Sequence, residues 1–95
     1  MPSIGVLTLE IQIEDAHSLK EKRHVVASLR ERLRSRFNVA VAEIGYQDLW
    51  QRALVSAVTV SGDHTYAEGV LQAVEREAEG ILGGMLVSTT LEWIE

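Results

Sequence analysis

The sequence predicts an α+β domain whose elements follow the order β-α-β-β-α-β. Two segments with the 3.6-residue period of amphipathic helices alternate with four segments of strand-like pattern. A serine precedes the first helical segment and a group of glycines follows the second, and both are typical helix limits. With 95 residues, the chain is long enough for one compact domain over 1–95 and too short for two.

The first strand is predicted over residues 4–13, where apolar and polar side chains alternate. Leu7, Leu9 and Ile11 point one way, and Thr8 and Glu10 point the other. A period of two residues indicates a strand with one buried face.

The first helix is predicted to begin after Ser18 and to end near Arg36. Ser18 and Glu21 have the spacing of a capping box, in which the Ser18 hydroxyl accepts from the Glu21 amide and the Glu21 carboxylate accepts from the Ser18 amide. Six apolar residues share one sector of this helix: Leu19, Val25, Val26, Leu29, Leu33 and Phe37.

The rest of the chain is predicted to form two further strands, a second helix and a last strand. Residues 38–44 are strand-like, residues 46–52 are predicted to form an ordered connection, and residues 53–61 are apolar almost throughout. Such an apolar run favours a central strand that is covered on both faces. Asp63 is the predicted N-cap of a second helix, which Gly80, Gly83 and Gly84 end before a last strand over residues 86–94.

This order of elements predicts a ferredoxin-like sandwich, a four-stranded antiparallel sheet with both helices on one face. Right-handed crossovers place the first and third strands in the centre. Because two helices cover one face only, the other face is solvated, covered by residues 46–52 or paired with another subunit.

Composition excludes several classes of site. Without cysteine, the chain can have neither a disulfide framework nor a thiolate metal site. No apolar run approaches the roughly 18 residues of a membrane span, and the N-terminus lacks the pattern of a signal peptide, so we expect a cytoplasmic protein.

Charge is segregated along the chain although the net charge is −5. Residues 18–52 carry eight basic and four acidic side chains, whereas residues 53–95 carry one basic and seven acidic side chains. This asymmetry indicates either a face that binds a polyanion or a basic and an acidic helix that neutralise each other.

Metal binding and catalysis find little support in the sequence. His17 with Glu14 and Asp15 is the strongest metal arrangement, and it lacks the spacing of a known site. Glu43 and Asp48 form a conceivable acid–base pair, although Glu43 could equally pair with Arg36 or Arg52. We therefore expect a protein without metal or cofactor that is not an enzyme.

A basic helix face is the main candidate for nucleic-acid binding. The predicted central strands contain no aromatic residue on which a base could stack. Arginine binds phosphate through a bidentate fork, while the alternative is an ordinary solvated face that is partly paired with the second helix. The candidate residues are Lys20, Lys22, Arg23, Arg30 and Arg34.

The connection over residues 46–52 is the candidate for partner binding, because Trp and Arg dominate the energetics of interfaces. In the alternative, Leu49 and Trp50 fold back as a lid over the sheet edge and Asp48 pairs with Arg52. The candidate residues are Gln47, Asp48, Trp50, Gln51 and Arg52.

Three stretches together resemble the YlxP-like family of small bacterial proteins: SLKEKR at 18–23, RFNVAVAEIG at 36–45 and QDLWQRA at 47–53. The resemblance covers essentially the whole chain and implies a ferredoxin-like fold. The genes of this family often lie near those of translation initiation and ribosome maturation factors, which implies a role in ribosome assembly or RNA handling. The family supplies no catalytic residues.

These observations lead to two functional expectations. The first is a non-enzymatic accessory protein that binds ribosomal RNA or a ribosomal subunit through the basic helix and the connection. The second is a homodimeric module that binds a small ligand or has a regulatory role, because ferredoxin-like domains often pair through their sheets. In either case we expect self-association as a homo-oligomer, most simply a dimer.

Overall fold

The computed structural model describes residues 1–94 and contains the predicted elements in the predicted order. The sheet has the order β2-β3-β1-β4, and every neighbouring pair is antiparallel. The ferredoxin-like arrangement and the central position of the first and third strands are therefore confirmed. The elements are β1 (Ser3–Gln12), α1 (Leu19–Arg36), β2 (Ala40–Gly45), β3 (Arg52–Ser61), α2 (His64–Leu82) and β4 (Leu86–Ile94).

Alternation along β1 separates a helix-covered face of the sheet from an open face. Leu7, Leu9 and Ile11 are buried under the helices and pair with small or β-branched residues of β3. The residues between them lie on the open face. The expectation that β3 is covered on both faces is wrong: Val60 on the open face is 56% exposed, because both helices lie on the other side of the sheet.

Side-chain caps determine where both helices begin. The Ser18 hydroxyl accepts from the Glu21 amide at 3.1 Å, as the capping box predicts. The Glu21 carboxylate, however, accepts from the amide of His17 at 2.6 Å and not from that of Ser18. In α2 the Asp63 carboxylate accepts from the Thr65 amide at 3.0 Å.

The two helices divide the sheet between them. α1 packs against β2 and β3, whereas α2 packs against β1, β3 and β4. Arg36 of α1 donates to the Glu77 carboxylate of α2 at 2.7 Å, and Arg32 lies 3.7 Å from the same carboxylate. The predicted neutralisation of a basic helix by an acidic one is therefore real, but it involves only the flank of α1 that faces α2.

Gly5 allows a close approach between β1 and its neighbours. A Cβ atom at this position would lie 2.5 Å from Leu71 Cδ1 and 2.8 Å from the Trp93 ring. The Trp93 ring in turn packs against the His64 ring, with 4.0 Å between the ring centroids. Glycine is required here by space.

We predict that Gly5→Ala lowers the free energy of unfolding by about 1–3 kcal/mol, the usual cost of overpacking a core. Gly69→Ala is the control, because a Cβ there meets no atom within 4 Å in a helix interior. It should raise the stability by about 0.5–1 kcal/mol. Urea unfolding measures both variants, and equal or reversed effects would contradict this packing.

Candidate functional site

Lys22 is the centre of the candidate site and is completely buried at 0% exposure. Its ammonium group donates to the backbone carbonyls of Tyr46, Gln47 and Arg52 at 2.7, 3.2 and 3.2 Å. The Glu43 carboxylate lies 2.9 Å from the same nitrogen. The expectation that Lys22 contacts phosphate is wrong, because its three N–H groups already have acceptors inside the protein.

A lysine suits this position because an ammonium group has three donors and the connection offers three carbonyls. Burial of a charge is costly unless it is paired and hydrogen-bonded, and Glu43 on β2 supplies the opposite charge. The buried position of Lys22 could have been predicted from its spacing to the apolar residues of α1. Lys22 lies four residues before Val26 and seven before Leu29, so it belongs to the buried stripe of α1.

The connection over residues 46–52, which we call the anchored connection, is held at several further points. Tyr46 has a φ of 59°, and its carbonyl also accepts from the Leu49 amide at 3.0 Å, which closes a turn. The Gln51 side chain donates to the carbonyls of Glu14 and Ala16 at 3.2 and 3.3 Å. The expectation of an ordered connection is confirmed, and its order comes from bonds to α1 and to the β1–α1 loop.

Arg52 has a different partner from the one predicted. Its guanidinium group donates to the Glu10 carboxylate at 2.5 Å and lies 4.2 Å from the centroid of the Tyr46 ring. The predicted Asp48–Arg52 pair is therefore wrong. Glu43 is the counter-ion of Lys22, so the expected pairing of Glu43 with Arg36 or Arg52 is also wrong.

The anchored connection exposes some of its side chains and uses others internally. Gln47 donates from its side chain to the Glu43 carbonyl at 3.2 Å, so that Gln47, Gln51 and Arg52 all have structural partners. Trp50 and its neighbour Leu49 are 51% and 46% exposed. The lid over the sheet edge stays a prediction, and about half of each side chain is accessible. The exposed part of the connection lines an open depression of about 460 Å³.

Four basic residues of α1 form a second feature, which we call the basic flank: Lys20, Arg23, Arg30 and Arg34. Arg23, Arg30 and Arg34 each follow a buried residue by one position, so they share one side of the helix. Within residues 1–94 no carboxylate lies within 4 Å of these four cations. No ion pair within the described residues therefore neutralises these four cations.

The anchored connection contacts α1 in the same turn that carries Arg23, a residue of the basic flank. Arg23 directly follows Lys22, whose ammonium group binds three carbonyls of the connection. α1 also packs against β2, the strand that leads into the connection. The fold thus holds the anchored connection against α1 at Lys22, next in sequence to Arg23 of the basic flank.

Metal sites and membrane-spanning helices are the other features to consider in the part of the chain that the structure describes. Residues 1–94 contain no cluster of three His, Asp or Glu side chains in positions to hold a metal ion. Neither of the two helices combines the length and apolar character of a membrane span.

Comparison with known proteins places this geometry in a family. Residues 4–90 match the family model described as "Protein of unknown function (DUF503)". The chain belongs to this family. It is 45% identical over 71 residues to the uncharacterised protein YlxP of Bacillus subtilis (strain 168), a match that covers 75% of this chain and 77% of YlxP. The resemblance to YlxP-like proteins is confirmed.

Solved structures support the fold of this DUF503 protein. The de novo designed protein Foldit4 superposes with a TM-score of 0.62 at 11% identity, covering 100% of this chain and 98% of the design. A dimeric ferredoxin-like protein of unknown function from Thermobifida fusca YX superposes with a TM-score of 0.50 at 12% identity, covering 96% and 90%. At these identities the similarity concerns the fold alone.

We predict that Lys22→Met in this DUF503 protein lowers the free energy of unfolding by about 3–5 kcal/mol, the typical cost of breaking a buried ion pair. The methionine keeps the apolar stem but leaves three carbonyls without their donor and Glu43 without its counter-ion. Urea unfolding measures the loss, and amide hydrogen exchange over residues 46–52 should become faster.

Lys20→Met is the matched control, because Lys20 is exposed on the same helix. It should change stability by no more than about 0.5 kcal/mol. Adding Glu43→Gln to Lys22→Met should restore part of the loss by removing the unpaired carboxylate. Equal stability of the Lys22→Met and Lys20→Met variants would contradict the anchoring role of Lys22.

Proposed function

We propose that this protein is a non-enzymatic accessory factor that binds ribosomal RNA or a ribosomal subunit through the basic flank and the anchored connection. The observation that carries the proposal is the unequal pairing of cations on α1. Arg32 and Arg36 share Glu77 on the flank that faces α2, whereas the four residues of the basic flank have no carboxylate partner within residues 1–94.

Phosphate is the anion that suits this flank. The cationic side chains are spread along one side of α1 over residues 20–34. A small anion would instead be bound by several groups that converge on one pocket. Arginine supplies three of the four side chains, and its planar fork binds phosphate oxygens in a bidentate manner. A row of such contacts recognises a phosphate backbone without selecting its sequence.

Trp50 supplies the second element of the proposed interface. β1 and β3 contain no aromatic residue, so the central strands cannot offer the usual stacking surface of RNA-binding sheets. Trp50 is 51% exposed on a segment that Lys22 and Gln51 hold in place. Because the segment is already ordered, binding would cost little additional conformational entropy.

We predict that replacing Arg23, Arg30 and Arg34 by Gln weakens RNA binding and lowers the slope of log K against log salt by about 2–3, since each phosphate contact accounts for about 0.7–0.9. Fluorescence anisotropy with a labelled fragment of ribosomal RNA measures the slope. Circular dichroism should show an unchanged fold, because these side chains make no ion pair within residues 1–94.

A second triple variant removes the same charge elsewhere. This control variant replaces three other arginines by Gln: Arg32 and Arg36, which share Glu77, and Arg76 of α2. It should leave most of the affinity in place. Co-sedimentation with ribosomal subunits of the same organism at low and moderate salt tests the physiological partner. An equal loss in both triple variants, or no binding at either salt concentration, would overturn the proposal.

We predict that Trp50→Ala weakens binding of single-stranded RNA by about 5- to 150-fold, because stacking of one base contributes about 1–3 kcal/mol. Trp50→Phe should retain much of the affinity, since it keeps an aromatic face. Tyr66→Ala is the control, because Tyr66 is a 67% exposed aromatic residue on α2. A similar affinity in the Trp50→Ala and wild-type proteins would exclude stacking on this residue.

A further inference from the structure

The face of the sheet opposite the helices carries a contiguous apolar surface at one end. Ile4 of β1 pairs with Val60 of β3 and with Ile94 of β4, and Val6 pairs with Val58. Directly opposed residues of neighbouring strands lie on the same face. We call these five residues the apolar end of the open face.

The apolar end is accessible within the single chain. Val60 is 56% exposed and Ile94 is 55% exposed, so no segment of residues 1–94 covers them, including the anchored connection. Single exposed apolar residues are common on protein surfaces, but contiguous patches mark interaction sites. These residues lie on two central strands and one edge strand of the sheet.

Several polar groups at the centre of the same face already have partners inside the chain. The hydroxyls of Thr8 and Ser56 are 2.8 Å apart and hydrogen-bonded to each other. The Glu10 carboxylate accepts from Arg52 at 2.5 Å and from the Ser88 hydroxyl at 3.1 Å. A partner that covers the centre of this face therefore needs to supply no charge to Glu10 or Arg52, and burial leaves these groups hydrogen-bonded.

We propose that the open face pairs with the open face of a second copy of this chain to form a two-fold homodimer. The sheet has strands of 10, 6, 10 and 9 residues. At about 3.4 Å per residue and 4.8 Å between strands, the face covers about 570 Å². The two faces together have an area above the roughly 1,000 Å² of buried surface that a specific interface needs. Side chains that protrude from the sheet add further area to this estimate.

Symmetry decides how the two sheets meet. A two-fold axis that runs along the strands, between β1 and β3 and in the plane of the interface, puts the apolar end of one copy on that of the other. It also puts β1 over β3 and β4 over β2, which is the aligned packing of sheet sandwiches. Glu92, which pairs with Val6 from the edge strand β4, then lies at the rim and far from its symmetry mate.

The proposed dimer is compatible with the proposed RNA interface and independent of it. α1 lies on the opposite side of the sheet, so the basic flanks of both copies remain exposed. The homodimer would present two such flanks on its outer surfaces. Since the test below contains no RNA, its outcome does not depend on RNA binding.

Sedimentation velocity over a concentration series tests the pairing. We expect the wild-type protein to approach twice the monomer mass of 10.5 kDa with a dissociation constant between about 1 and 100 μM, or tighter. Val60→Asp should weaken association at least about 100-fold, because it buries an unpaired carboxylate in each copy. Val87→Asp should not, because Val87 is equally exposed at 53% but lies in the register shift at the other end of β4 from the apolar end.

Ile94→Asp provides a second test on a different strand of the same end, in case Val60→Asp does not fold. Circular dichroism establishes whether each variant is folded. A wild-type protein that stays monomeric across the series would overturn the proposal and leave the face to another occupant. A dimer that survives both open-face substitutions, or that Val87→Asp disrupts equally, would assign the interface to another surface and would also overturn it.

Discussion

The buried ammonium group of Lys22 is the interaction on which the functional region depends. It joins α1 to both ends of the anchored connection, since its acceptors lie at Tyr46, Gln47 and Arg52. The charge would be unfavourable in the interior without the three carbonyls and the Glu43 carboxylate. This cluster therefore tolerates little change: loss of one member leaves the others desolvated and unpaired.

Lys22 and the apolar stripe of α1 face the same way and together fit one rotation of the helix about its axis. With Lys22 directed into the core beside Val26, Leu29 and Leu33, the residue after each buried position faces the outer flank. The basic flank is the result. The basic residues of α1 thus fall into two groups. Arg32 and Arg36 neutralise Glu77 between the helices, whereas the basic flank has no ion-pair partner within residues 1–94.

The sheet separates two surfaces with different chemistry. One side holds the helices, with the cations of α1 on its outer flank. The other side combines the apolar end with polar groups that are already paired. Because they lie on opposite sides, binding at one surface does not occupy the other, and a homodimer formed through the open face would display both basic flanks.

Local pattern in the sequence was enough to determine the order of elements, the helix starts at Ser18 and Asp63, and the ferredoxin-like arrangement. The element order and the helix starts depend on neighbours within a few residues, which the period of the apolar positions reflects. The arrangement then follows from that order and from right-handed crossovers. Only the tertiary structure decided the role of Lys22, whose acceptors lie 24 to 30 residues away. It also decided that Arg52 pairs with Glu10 and that one side of β3 remains uncovered, because partner choice and layering depend on which distant segments meet in space.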